Sequence, residues 1–185
     1  MVPGVVGEDA PMLIIVISGP IASGKSSLGR AVAARLDEVL DARSAVIDLD
    51  LVYEMLDPRG GVKNDDTLWS EARRVAGQLA AVLFGGGRCV VAEGGFATDR
   101  ALGEFESKLP PEATLRLVLL EADLETALQR VRTDPSRGLS RDASFLSQHY
   151  ESFRAEWARR DVLRVDTRSA APADTARVVA PWLTR

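Results

Sequence analysis

The sequence predicts an α/β fold, a parallel sheet covered by helices on both faces. Three observations carry that reading. Short apolar runs rich in β-branched residues, such as MLIIVIS at 12–18, are the mark of strands buried on both faces. These runs alternate along the chain with longer segments of helical periodicity. The first run leads into a glycine-rich bend, GPIASGKSS at 19–27, with a helical segment directly after it. In sheets of this kind ligands bind at the carboxyl ends of the strands, so the polar residues at those ends matter most.

The elements follow in order. The strand at 12–18 precedes a helix over 25–40, where Leu28, Ala31, Val32, Leu36, Val39 and Leu40 recur at helical spacing. A short strand is expected over 44–49 (SAVIDL). A long helix over 65–84 carries Leu68, Ala72, Val75, Leu79, Val82 and Leu83 on one broad face, and Gly85-Gly86-Gly87 ends it. Strand 88–92 (RCVVA), helix 99–107, strand 113–120 (ATLRLVLL) and helix 123–131 come next. The turn-rich segment 133–140 reads as a loop. A helix is expected over 142–160, with Phe145, Leu146, Tyr150, Phe153 and Trp157 as its apolar stripe. A strand at 162–165 and a helix at 172–183 close the chain. Residues 1–11 read as a flexible leader, with Met12 as an alternative start, and 12–185 as a single domain.

Composition narrows the function. Hydrophobic residues make up 46% and charged residues 27%, which suits a soluble globular protein. A formal net charge of −4 argues against a nucleic-acid partner. No apolar run is long enough to span a membrane, and the first residues lack the basic and apolar regions of a signal peptide. Cys89 is the only cysteine. It excludes an intrachain disulfide, sits in an apolar run as a core residue, and fits a reducing, cytoplasmic setting.

The bend at 19–27 has the spacing Gly19-x-x-x-x-Gly24-Lys25-Ser26, the P-loop pattern. Backbone N–H groups across Gly19, Ala22, Ser23, Gly24, Lys25, Ser26 and Ser27 would wrap phosphate. The Lys25 ammonium would reach the outer phosphates, and the Ser26 hydroxyl would ligate Mg²⁺. The following helix points its positive end at the same anion. Asp48 and Asp50 lie two apart at the end of the second strand, where strand geometry would put them on one face. In phosphoryl transfer one carboxylate holds the metal and another accepts the acceptor's proton. Asp48 takes the metal role and Asp50, further out, the base role; the competing reading is that Asp50 caps the next helix.

The third strand ends in Glu93-Gly94-Gly95, candidates to direct metal or water or to line the acceptor, with Arg100 as a partner for a charged acceptor. Four arginines fall between 130 and 141. Arg137 and Arg141 are the expected contacts of a closing lid that stabilises transferring charge, and Arg132 the one over the base or outer phosphates. The loop at 57–66 is expected to border the acceptor site. His149, the only histidine, has no partner ligand and reads as structural.

Together GPIASGKSS, DLD at 48–50, EGG at 93–95 and RTDPSRGLSRD at 132–142 resemble the small P-loop kinases: shikimate kinase, gluconate kinase, adenylylsulfate kinase and related antibiotic phosphotransferases. The resemblance runs from Met12 to about Leu183. It implies a P-loop NTPase three-layer sandwich with a five-stranded parallel sheet in order 2-3-1-4-5 and an arginine lid. It also implies ATP and Mg²⁺ as cofactors and an acceptor pocket under the segment after the second strand. The implied reaction moves the γ-phosphoryl group of ATP to a hydroxyl of a small molecule. Two departures matter. Glu93 stands where shikimate kinase has the first of three glycines, and would repel a carboxylated acceptor unless Arg100 or Lys63 offsets it. The lid resembles that of adenylylsulfate kinase but carries insertions. The acids point instead to an acceptor rich in hydroxyls or carrying positive charge. The alternatives are a polynucleotide 5′-hydroxyl kinase, an ATP-binding regulatory protein and a nucleoside monophosphate kinase.

Overall fold

The computed structural model describes residues 12–60, 63–133, 142–153, 157 and 161–185. Five strands, β1 (Leu13–Ser18), β2 (Arg43–Asp48), β3 (Arg88–Gly94), β4 (Thr114–Glu121) and β5 (Val162–Asp166), form one sheet in the order β2-β3-β1-β4-β5. All four pairings are parallel. The expected fold class is therefore the one observed. The helices are α1 (Lys25–Leu40), α2 (Leu49–Leu56), α3 (Asp66–Gly85), α4 (Asp99–Glu106), α5 (Leu124–Thr133), α6 (Ala143–Ser152) and α7 (Pro172–Leu183).

Strand alternation builds the two cores. Ile14 and Val16 of β1 face one side with Val90 and Ala92 of β3, under Val52 and Tyr53 of α2, Ala72 and Ala76 of α3 and Leu102 and Phe105 of α4. Leu13, Ile15 and Ile17 face the other side with Cys89 and Val91, under Leu28, Val32 and Leu36 of α1 and Val179 and Leu183 of α7. Cys89 is wholly buried, as its apolar run foretells. A third, smaller cluster joins Ala22 of the glycine-rich bend to Ala127 and Val131 of α5 and Leu146 of α6. Among the described residues, no helix is long and apolar enough to cross a membrane.

Register lines up the strand ends. Ser18 pairs with Gly94 and with Leu119, and Asp48 pairs with Glu93. The glycine-rich bend and the two acids therefore emerge along one edge of the sheet.

Two regions depart from expectation, the first being the end of β2 together with α2 (Leu49–Leu56), a helix absent from the expected elements. β2 ends at Asp48, and Asp50 lies in the first turn of α2 instead of on the strand. The cause is local: the Asp48 carboxylate caps α2, accepting the Asp50 N–H at 2.9 Å. Capping thus falls to Asp48, and the two carboxylates do not share a strand face. The second departure is α6, which ends at Ser152 instead of 160, with Phe153 in extended backbone (φ −62°, ψ 121°). Trp157 still reaches the main core, 1% exposed. The apolar stripe thus reported burial correctly but not continuous helix. The leader at 1–11 and most of the loop at 133–140 lie outside the described residues.

Candidate active site

The phosphate loop is built by close approach. Gly19 follows β1, and a Cβ there would stand 2.8 Å from both the Leu120 carbonyl oxygen and the Ser23 Oγ, so no side chain fits. Ala22 takes a left-handed conformation (φ 60°) and Gly24, at the N-cap of α1, another (φ 97°). No side chain caps α1, and its first turn holds no acid. That leaves backbone N–H groups and the positive end of the helix dipole for an anion.

The loop's carbonyls are held by neighbours. Tyr150 Oη donates to the Ile21 carbonyl at 2.9 Å, Arg130 to the Ala22 carbonyl at 3.0 Å, and Thr167 Oγ1 to the Ser23 carbonyl at 2.8 Å. Arg130 also bonds the Thr167 carbonyl. Because C=O and the next N–H point oppositely in a trans peptide, these contacts aim the Ala22 and Gly24 N–H groups away from the anchoring residues. Lys25 Nζ donates to the Gly19 and Pro20 carbonyls at 3.1 and 3.0 Å, and so lies folded over the loop's rim. The Ser23 hydroxyl is buried with no hydrogen-bond partner. Ser26 is half-buried and Ser27 exposed.

Beside the loop lies a buried acid. Glu93 is 3% exposed. It sits next to Asp48 across β2 and next to Ile17 across β1, with Gly29 of α1 packed over its side chain. Burial pushes its carboxyl up to about 7. A hydrogen bond with Ser26 pulls the other way, Asp48 adds to the rise, and Lys25 opposes it. One carboxyl oxygen, Oε1, is buried with no hydrogen-bond partner. A carboxyl with one orphaned oxygen, on a side chain that also meets Ser26 and Asp48, fits a divalent cation, whose charge would offset the burial cost. Among the described residues no group of three His, Cys, Asp or Glu could form a protein cage for a metal. Mg²⁺ does not need one, since it takes one or two carboxylates together with substrate phosphates and water.

The outer side of the site is polar. Asp50 is exposed, with Lys63 Nζ at 3.7 Å from its carboxylate and 2.9 Å from that of Glu54. Gly94 has φ +148°, and a Cβ there would fall 2.6 Å from the Leu49 Cβ, which locks the end of β3 against the start of α2. Ser18 Oγ donates to the Gly94 carbonyl at 3.1 Å and accepts the Phe96 N–H at 3.2 Å. The exposed Gly95 presents its carbonyl to Arg73 Nε at 3.1 Å. Arg100 turns to Glu104 at 3.2 Å, and Glu104 also takes Arg73 at 2.8 Å.

The structure thus brings together Gly19, Ala22, Ser23, Gly24, Lys25, Ser26, Asp48 and Glu93, with Asp50, Gly94 and Gly95 at the outer margin. Arg132 is exposed at the end of α5. Arg137 and Arg141 lie outside the described residues. Sequence reasoning missed four participants: Arg130, Thr167, Arg73 and Tyr150, the last read only as part of an apolar stripe. Arg130 was legible, since it stands three residues after the buried Ala127 and so shares the inward face of α5, whereas Arg132 does not. His149 is structural in the expected sense: its Nε2 accepts the Ile21 N–H at 3.1 Å.

A phosphate loop at the end of β1 in a 2-3-1-4-5 parallel sheet defines a P-loop NTPase three-layer sandwich. The chain belongs to the family described as "AAA domain", which matches residues 14–155. No curated protein matches it. Solved structures with the same fold include a gluconokinase from Sinorhizobium meliloti 1021, 18% identical, with a TM-score of 0.70 over 95% of this chain and 94% of that one. An unliganded sugar kinase from Janibacter sp. HTCC2649 is 14% identical, with a TM-score of 0.68 over 94% and 95%. The Mycobacterium tuberculosis APS kinase CysC, in complex with AMPPNP and APS, is 18% identical, with a TM-score of 0.68 over 95% and 99%. At these identities the likeness is one of fold.

Proposed function

We propose that this protein is an ATP-dependent phosphotransferase that moves the γ-phosphoryl group of ATP to a hydroxyl of a small molecule. The observation that carries the reading is the buried Glu93 carboxyl, with its orphaned oxygen, set against Ser26 of the phosphate loop and Asp48. A structural turn has no use for a costly buried acid at that place. The sugar-kinase and gluconokinase neighbours, alike in fold across nearly the whole chain, support a hydroxylated acceptor.

In this reading Ser26, Asp48 and Glu93 hold Mg²⁺, which supplies charge neutralisation for the outer phosphates. Lys25 exchanges the Gly19 and Pro20 carbonyls for phosphate oxygens. The uncapped start of α1 and the loop N–H groups hold the inner phosphates. Asp50, exposed beyond Gly94 and Gly95, takes the proton of the acceptor hydroxyl. The acceptor oxygen bonds to the γ-phosphorus as the bond to the β-bridging oxygen breaks, and ADP leaves. Arg132, Arg137 and Arg141 keep the role that their charge suggests, contact with base and phosphates. Asp50 and Glu54, exposed at the outer margin, disfavour a polyanionic strand and favour a neutral or cationic polyol. Arg73 and Arg100, both engaged by Glu104, do not offer a carboxylate clamp.

The test is Asp50→Asn. It should retain ATP·Mg²⁺ binding and lose phosphorylation of whichever acceptor the wild type uses. Undiminished turnover by this variant removes Asp50 from the base role.

A further inference from the structure

Three of the contacts that shape the phosphate loop come from elements after α5. Two of them come from adjacent residues of α6 and meet at Ile21. The Ile21 N–H donates to His149 Nε2 at 3.1 Å, and the Ile21 carbonyl accepts from Tyr150 Oη at 2.9 Å. These groups belong to the two peptide units that flank the Ile21 Cα, so together they fix both of its backbone dihedrals. The next residue, Ala22, is left-handed without being glycine. Such a conformation persists only where the surroundings over-determine it.

The chemistry of both partners suits the task. An N–H donor requires a lone pair at Nε2, which assigns His149 as the neutral imidazole protonated at Nδ1. Burial, and then the Lys25 charge, hold its pKa below the ordinary range. Burial pushes the Tyr150 phenol up to about 12, so it remains a donor. Packing seats the pair: Leu146, on the same helix, is buried against Ala22, Ala127 and Val131, with Ile21 and Tyr150 packed around them.

We propose that His149 and Tyr150 are positioning residues for the nucleotide, pinning the two peptide units at Ile21 and thereby holding the phosphate loop in its anion-binding shape. The inference rests on the phosphotransferase reading only in naming ATP as the anion. Neither side chain has to touch the nucleotide.

The experiment compares wild type, His149→Phe, His149→Gln and Tyr150→Phe. Glutamine places an acceptor oxygen at about the reach of Nε2, whereas phenylalanine keeps bulk and loses the acceptor. Titration calorimetry with ATP·Mg²⁺ should give about a three- to tenfold weaker Kd for His149→Phe and for Tyr150→Phe, the range for one lost neutral hydrogen bond. His149→Gln should recover most of that loss. The Ile21 amide, followed by NMR, should exchange faster in His149→Phe and regain protection in His149→Gln. Equal Kd values across the set overturn the inference, as does a glutamine variant no better than phenylalanine. If wild type binds no ATP at any concentration tested, the phosphotransferase reading falls, while the Ile21 amide still reads the clamp. Should His149→Phe fail to fold, Tyr150→Phe carries the same prediction.

Discussion

Replacing Glu93 by glutamine should stabilise the metal-free protein, and by an amount that grows with pH. The carboxyl is 3% exposed and its pKa is pushed from 4.5 to about 7, chiefly by burial. In the unfolded chain Glu93 ionises near 4.5, so between these values the folded state binds the extra proton. The stability contributed by the neutral carboxyl is full below 4.5 and is lost as pH rises through 7. At roughly 1.4 kcal/mol per pH unit, the loss is about 1 kcal/mol at pH 5 and about 3 kcal/mol at pH 8. Glutamine keeps the shape and never ionises, so it escapes that loss. For a chain of this size roughly 2–4 °C of Tm accompanies each kcal/mol. The variant's advantage should therefore widen between pH 5 and pH 8 by about 4–8 °C. The assay is thermal unfolding in EDTA at several pH values. Any pH-independent effect of the amide cancels in the comparison. A Tm difference that stays flat from pH 5 to pH 8 refutes the argument that burial charges Glu93 at a cost.

Two other substitutions probe the surroundings. Gly94→Ala drives a Cβ to 2.6 Å from that of Leu49 at φ +148°; it should cost about 2–4 kcal/mol in denaturant unfolding, and turnover should fall with it because Leu49 carries Asp50. Lys25→Met removes an ammonium expected to meet phosphate, and calorimetry should find ATP·Mg²⁺ binding weakened by about 10- to 100-fold, the worth of a charged hydrogen bond.

What could be read from the sequence follows from the range of the interactions concerned. β1 announces itself because both its faces are buried, which makes Leu13–Ser18 apolar at every position but the last. The glycine bend is legible because its spacing answers to a phosphate, not to distant parts of the chain. The Asp48–Asp50 pair misleads because a two-residue interval suits a strand face and a helical cap equally. The spacing of Leu49, Val52, Tyr53 and Leu56 is helical, and it shows which applies. Glu93 is visible as an acid at a strand end, but its burial depends on Asp48 and Gly29, which only the folded sheet and α1 bring to it. The same holds for the grip of Arg130, His149, Tyr150 and Thr167 on the loop. Each of these joins residues more than a hundred positions apart, and no local pattern encodes such contacts.

The central claim is phosphoryl transfer, and ³¹P NMR tests it most directly. Wild type would be incubated with ATP and Mg²⁺ against sugars, sugar acids, shikimate-like acids, nucleosides, aminoglycosides and a 5′-hydroxyl oligonucleotide. The account predicts a new phosphomonoester resonance with one small polyhydroxylated acceptor, growing in step with ADP. Phosphorylation of the oligonucleotide alone, or ATP bound with no phosphomonoester and no ADP from any acceptor, would contradict it.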